Sequence, residues 1–264
     1  MKTFDIHRFG KVLKWTIYYN KSTLTKITMG FFIAFLAIYL LTTDLFFSSS
    51  SSFPNRLNSA AGVTFGMFFV FLFLTPSWIL SNMKNRKSSL DYLMLPATNL
   101  EKFLARIVMV TVFYTLCVVA AQIAADLIQW IISMFRYPVS QTGLISTDIL
   151  ENHYISFGGH ARGFNSCYAR GNMLVLIWII WMHSVYTLGG TVFRKCAWII
   201  TSLLLLVLGI IVVWSGFGFG FEIALINDGV IITLMFLVFA GLNYYMSYKV
   251  FSRIQLINNK WINL

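Results

Sequence analysis

The sequence predicts an all-α, polytopic membrane protein with six transmembrane helices behind an N-terminal amphipathic interfacial helix, and three observations predict it. Of 264 residues, 58% are hydrophobic and only 11% are charged, less than half the charge fraction of ordinary soluble domains. Several runs reach the roughly 20 apolar residues needed to cross a bilayer. None of them alternates as a lipid-facing β-strand would, so their backbone groups must be satisfied within helices.

The elements follow in order. Residues 1–26 form a cytoplasmic leader in which Ile6, Phe9, Leu13 and Ile17 share one helical face, while Arg8, Lys11 and Lys14 lie on the other. Such a helix is expected to lie in the membrane interface, apolar side down. The six-helix domain, 27–264, has spans predicted at 27–47, 60–80, 103–133, 173–188, 197–214 and 230–248. The apolar run of the first is too long for the core of a cleaved signal peptide. The stretch "FFSSSSSFPNR" (46–56) reads as a short polar outer turn. The third span, 31 residues by this reading, would be about 46 Å long as a helix. That exceeds the roughly 30 Å of hydrocarbon, so it must tilt or stand proud of the outer surface. An extracytoplasmic loop, 134–172, follows. Before the last span, "WSGFGFGFEIALINDG" (214–229) is read either as an outer re-entrant turn or as a glycine-rich helix start packed against neighbours.

The formal charge of +11 does not require nucleic acid. With the N-terminus inside, 16 of the 20 basic residues fall in inner segments, and only Arg56, Arg136, Arg162 and Arg170 fall outside. This positive-inside asymmetry sets orientation, with both termini cytoplasmic. Cys117, Cys167 and Cys196 fall within a span, outside and inside respectively, so no intramolecular disulfide is expected.

Two places carry functional signal. The first is "SSLDYLMLPATNLEKFLAR" (88–106), between spans two and three, within a cytoplasmic loop 82–102. Ser88 with Asp91 and Thr98 with Glu101 have the spacing of helix-starting capping boxes, and Pro96 separates them. A short helix over 89–95 is expected, with Leu90, Leu93 and Met94 on one apolar face that either this protein's own helix ends or a separate protein must cover. The second is a polar stripe on the third span: Thr111, Thr115, Gln122, Asp126, Gln129 and Ser133 project to one side. A buried acid there is costly against lipid. The stripe is therefore a translocation surface or polar dimer seam, or it is interhelical hydrogen bonding that holds the bundle together. His183 in "WIIWMHSVY" is a lone histidine with either a packing role or a role on a substrate or proton path. His153, His160 and Cys167 have no recognised zinc spacing, and no metal site is expected. No hydrolase, metalloprotease or nucleotide-binding motif occurs, so the chain is not expected to be an enzyme, although scattered residues can assemble an intramembrane site.

"YLMLPATNLEKFLAR", placed between spans two and three, resembles the "LPAS-x-x-EK" stretch of ABC-2 type ABC transporter permease subunits, particularly those common among Bacteroidetes. The interfacial helix, six spans and lack of a nucleotide site are similar to that family too. The resemblance implies a type V-like exporter fold in the bacterial inner membrane. It implies a dimer, with itself or a similar permease, and a separately encoded ABC ATPase that carries the ATP and Mg; this chain would bind no cofactor. It implies that Leu90, Asp91, Tyr92, Leu93, Met94, Leu95 and Pro96, with Glu101 beside them, form the contact with the ATPase. On this reading Thr115, Gln122, Asp126, Gln129 and His183 belong to the translocation path. One departure from the pattern is that the large outer loop lies between spans three and four, where better-known members elaborate the region between spans five and six. An amphipathic or lipid-like molecule, or an antimicrobial peptide, is the expected cargo. The alternative is a channel or accessory membrane protein that uses no ATPase.

Overall fold

The computed structural model describes residues 4–42, 53–83, 90–92, 94–136, 143–148, 166–193, 195–214 and 229–253. Leu93, Ser88, His153, His160 and most of the 134–172 and 214–229 stretches lie outside the described residues.

Every element among the described residues is helical. The helices are α1 (Ile6–Tyr19), α2 (Lys21–Thr42), α3 (Phe53–Leu74), α4 (Asn99–Val108), α5 (Tyr114–Arg136), α6 (Ile145–Asp148), α7 (Ser166–Val192), α8 (Ala197–Trp214) and α9 (Gly229–Ser252). Two short 3₁₀ segments, Thr75–Trp78 and Ser81–Met83, follow α3, and a π-helical turn, Met109–Phe113, joins α4 to α5. Among the described residues, four helical stretches are long and apolar enough to cross a membrane: Lys21–Thr42, Ser59–Trp78, Asn99–Phe135 and Ala197–Trp214. The chain is thus a membrane protein by length and composition of its helices.

Boundaries differ from the sequence reading where local chemistry intervenes. The first span begins at Lys21, because the Asn20 carbonyl already accepts from Leu24 N and starts a new helix one residue after α1 ends. The helix that carries the third span begins at Asn99, ahead of the expected 103, because Thr98 caps it. Of the short helix expected over 89–95, residues 90–92 are described and helical, and Met94 N donates to Leu90 O at 2.9 Å. The helix at the expected fourth span, α7, runs over Ser166–Val192, longer than 173–188, and α8 matches the expected 197–214.

The chain divides into two compact units. The first comprises 1–18, 72–111 and 170–264. Its best-packed core joins Ile79, Met83, Tyr92, Phe103 and Phe251, with Trp15, Leu95 and Tyr248 against it. Two adjacent glycines let α7 approach its neighbours: a Cβ on Gly190 would meet the Ser77 backbone, and one on Gly189 would meet the Thr201 side chain.

The second unit comprises 19–71 and 112–169. Here α2 packs along α5. The α5 seam is Tyr114, Val118, Ala121, Ala125 and Gln129, all buried at spacings of four, three, four and four. Phe35 and Tyr39 of α2 are fully buried, and Phe31 meets Phe71 of α3 edge-on with centroids 4.7 Å apart. Outward positions of the same helix, Leu116, Ile123, Leu127 and Ile131, are exposed and apolar, as lipid contact requires.

Candidate functional site

The first site is the 90–106 stretch. Thr98 sits in extended backbone (φ −70°, ψ 155°) as the N-cap of α4. Its hydroxyl accepts from Glu101 N at 3.3 Å, and Glu101 Oε2 accepts from Thr98 N at 2.9 Å. This is the capping box that the T-x-x-E spacing predicts. Glu101 does more than cap. Its Oε1 accepts from Arg8 Nη2 at 2.8 Å and from Asp5 N at 2.9 Å, while Asp5 Oδ1 accepts from His7 N at the start of α1. One fully buried carboxylate therefore holds the N-termini of two helices. Burial alone would raise its pKa, but the Thr98 N–H, the Arg8 guanidinium and the Asp5 N–H outweigh it and bring the carboxyl down from 4.5 to about 2. Glu101 lies outside the apolar part of its helix, since the uncharged stretch runs from Ile107 to Ala125.

Tyr92 is the plug beneath this arrangement. It has no exposed surface; its hydroxyl donates to Lys102 O, the Arg106 guanidinium lies 4.3 Å from its ring centroid, and Trp15 and Phe251 pack on it. Burial, opposed by Arg106, pushes its phenol up to about 12. Leu95 also packs inward, and Leu90 is half-buried. What remains outward is Asp91, Met94 and Pro96, with Met94 80% exposed. The residues named as one contact surface thus divide: Tyr92 and Glu101 brace the turn from within, and Met94 forms its knob.

The polar stripe behaves differently along its length. Thr111, Thr115 and Gln122 are half-buried, whereas Asp126, Gln129 and Ser133 are buried. The stripe runs along the edge of the α5 seam. Asp126 Oδ1 accepts from Ile145 N and Oδ2 from Ser146 N, each at 2.9 Å, and Oδ2 also accepts from the Ser146 hydroxyl. Asp126 thereby caps the one-turn helix α6. The Gln129 amide, one turn on, is buried with no hydrogen-bond partner among the described residues.

His183 belongs to a third group, which the sequence reading noticed only through the histidine. Its Nδ1 is 2.7 Å from Tyr244 Oη. Asn243 Nδ2 donates to Ser184 Oγ at 3.1 Å, and Thr191 and Ser247 hydroxyls are 3.1 Å apart. A polar ladder therefore joins α7 to α9. Its signal in the sequence is the i, i+4, i+8 spacing of His183, Thr187 and Thr191 against Asn243 and Ser247. Sharing Asn243 with this ladder, an apolar cavity of about 430 Å³ is lined by Trp181 and Val185 of α7, Leu208 of α8, and Phe236 and Phe239 of α9, with Asn243 as its polar lining residue.

Among the described residues no group of three metal-ligating side chains occurs. No family model matches this chain, and no curated protein or solved structure matches it either.

Proposed function

We propose that this chain is the membrane subunit of an ABC transporter of the ABC-2 type, a six-span exporter that acts as a dimer with a separately encoded ATPase. The observation that carries the reading is the braced turn: Met94 is exposed beside Tyr92, which is locked into the core, and the chain then enters the capped start of α4. A force applied at Met94 acts through Pro96 and Thr98 on the first turn of a helix that runs on to Phe135. A partner's groove is a fitting source of that force, because an exposed methionine on a polar turn adapts readily to a binding surface. The apolar cavity beside α7 favours an amphipathic or lipid-like cargo. On this reading both termini and the 82–102 loop are cytoplasmic, in the bacterial inner membrane.

The test is a tagged pull-down in mild detergent from native membranes, comparing wild type with a Leu93→Asp, Met94→Asp double variant. Capture of an ATPase by wild type and its loss from a variant with unchanged thermal unfolding is the expected result. Absence of any ATPase from the wild-type capture overturns the reading and leaves a channel or accessory protein.

A further inference from the structure

We infer that the outward side of α1 is a docking strip for anionic phospholipid headgroups, read by Lys11 and Lys14. At about 100° per residue α1 has three faces where the sequence suggests two. Val12 and Thr16 are buried in the first unit, and Arg8, on the same side, is paired with Glu101. Ile6, Phe9, Leu13 and Ile17 form an apolar face, on which Ile6 is 70% exposed. His7, Lys11, Lys14 and Tyr18 form the third face, and all four are exposed. The charges that look equivalent in the sequence are therefore not: Arg8 faces inward as a brace, while the two lysines face out.

The occupant follows from charge and from what lies beside the charge. An ammonium complements a phosphate, and the lysine face adjoins an apolar one along the same helix, exposed at Ile6 and half-buried at Phe9, Leu13 and Ile17. A bilayer surface offers both partners at once, headgroup phosphates over acyl chain, whereas an acidic protein groove would leave Ile6 and its neighbours in water. Only Asn20 separates α1 in sequence from α2, a candidate span, so the strip is tethered to the bilayer. Each lysine near an anionic surface strengthens attraction about fivefold. The inference rests on the membrane character of the chain and does not depend on the transporter reading.

The test places the full-length protein in nanodiscs of neutral phosphatidylcholine and in discs carrying about 30% phosphatidylglycerol, then footprints lysines with an acylating reagent read by mass spectrometry. Labelling of Lys11 and Lys14 should fall several-fold in the anionic discs at low salt. It should recover near 1 M salt, where the screening length is about 3 Å. A Lys11→Gln, Lys14→Gln variant should lose about 25-fold of the preference for anionic over neutral lipid in a competition read by native mass spectrometry. Equal labelling of wild type in the two discs overturns the inference. So does equal protection by inorganic phosphate in neutral discs, which would assign the lysines to a free anion. Lipid-independent labelling combined with loss of a captured protein from the double variant would assign them to that protein, and would equally overturn it.

Discussion

Arg8 and Glu101 stand 93 residues apart in sequence and 2.8 Å apart in space. Their contact joins α1 to the capped start of α4. Because Glu101 serves Thr98, Asp5 and Arg8 together, it is the point at which α1, the Met94 turn and α4 become one mechanical object.

Removing either partner should therefore have unequal effects. Glu101→Ala strands three donors and should cost about 3 kcal/mol, at the lower end for breaking a buried pair. Arg8 is partly exposed, so Arg8→Ala should cost about 1 kcal/mol. Hydrogen exchange at the α1 amides should rise in both variants and more in Glu101→Ala. Equal effects would mean that the capping and Asp5 contacts contribute nothing.

The same carboxylate gives a pH signature. Its folded pKa is depressed from 4.5 to about 2, so its stabilisation is fully present above about pH 4.5 and is lost as pH falls toward 2. The stability gap between wild type and Glu101→Gln should be flat above that range and should close within it. A gap that changes between pH 6 and 8 would point to another group.

How much of this was legible in the sequence depends on the distance over which each relation acts. The Thr98–Glu101 box was readable because both partners sit within one turn. The Arg8–Glu101 pair was not, since nothing local distinguishes Arg8 from Lys11 and Lys14. The burial of Tyr92 was hidden for a related reason. A face drawn through Leu90, Leu93 and Met94 follows the aliphatic residues, but the core takes in the aromatic bulk of Tyr92 and leaves Met94 exposed. The α5 seam was readable in principle, because the spacing of Tyr114, Val118, Ala121 and Ala125 runs beside the polar stripe. Serines and threonines of the α7–α9 ladder gave little warning, since a hydroxyl on a helix usually bonds its own backbone, as Thr187 and Thr191 also do here.

Close helix approach supplies another prediction. A methyl at Gly190 would strike the backbone of Ser77, which cannot rotate away, whereas one at Gly189 would strike the Thr201 side chain, which can. Gly190→Ala should cost about 2 kcal/mol, within the range for overpacking, and Gly189→Ala should cost less. Thr201→Ala should relieve the second and leave the first unchanged, as read by thermal unfolding in detergent.

The last prediction separates the two readings of the polar stripe. Asp126 is engaged on both oxygens by α6, so Asp126→Ala should speed hydrogen exchange at Ile145 and Ser146, and Asp126→Asn should do so less, because its carbonyl oxygen can still accept from one of them. Gln129 is the sharper case. Its buried amide has no partner among the described residues, and replacing such a group with an apolar one of similar shape is close to neutral or stabilising. Gln129→Leu should therefore raise thermal stability slightly if the stripe only holds helices together, and transport should survive. If the stripe conducts a substrate, Gln129→Leu should keep the fold and lose transport, because the amide would then be held buried at a cost in stability for the sake of what passes it.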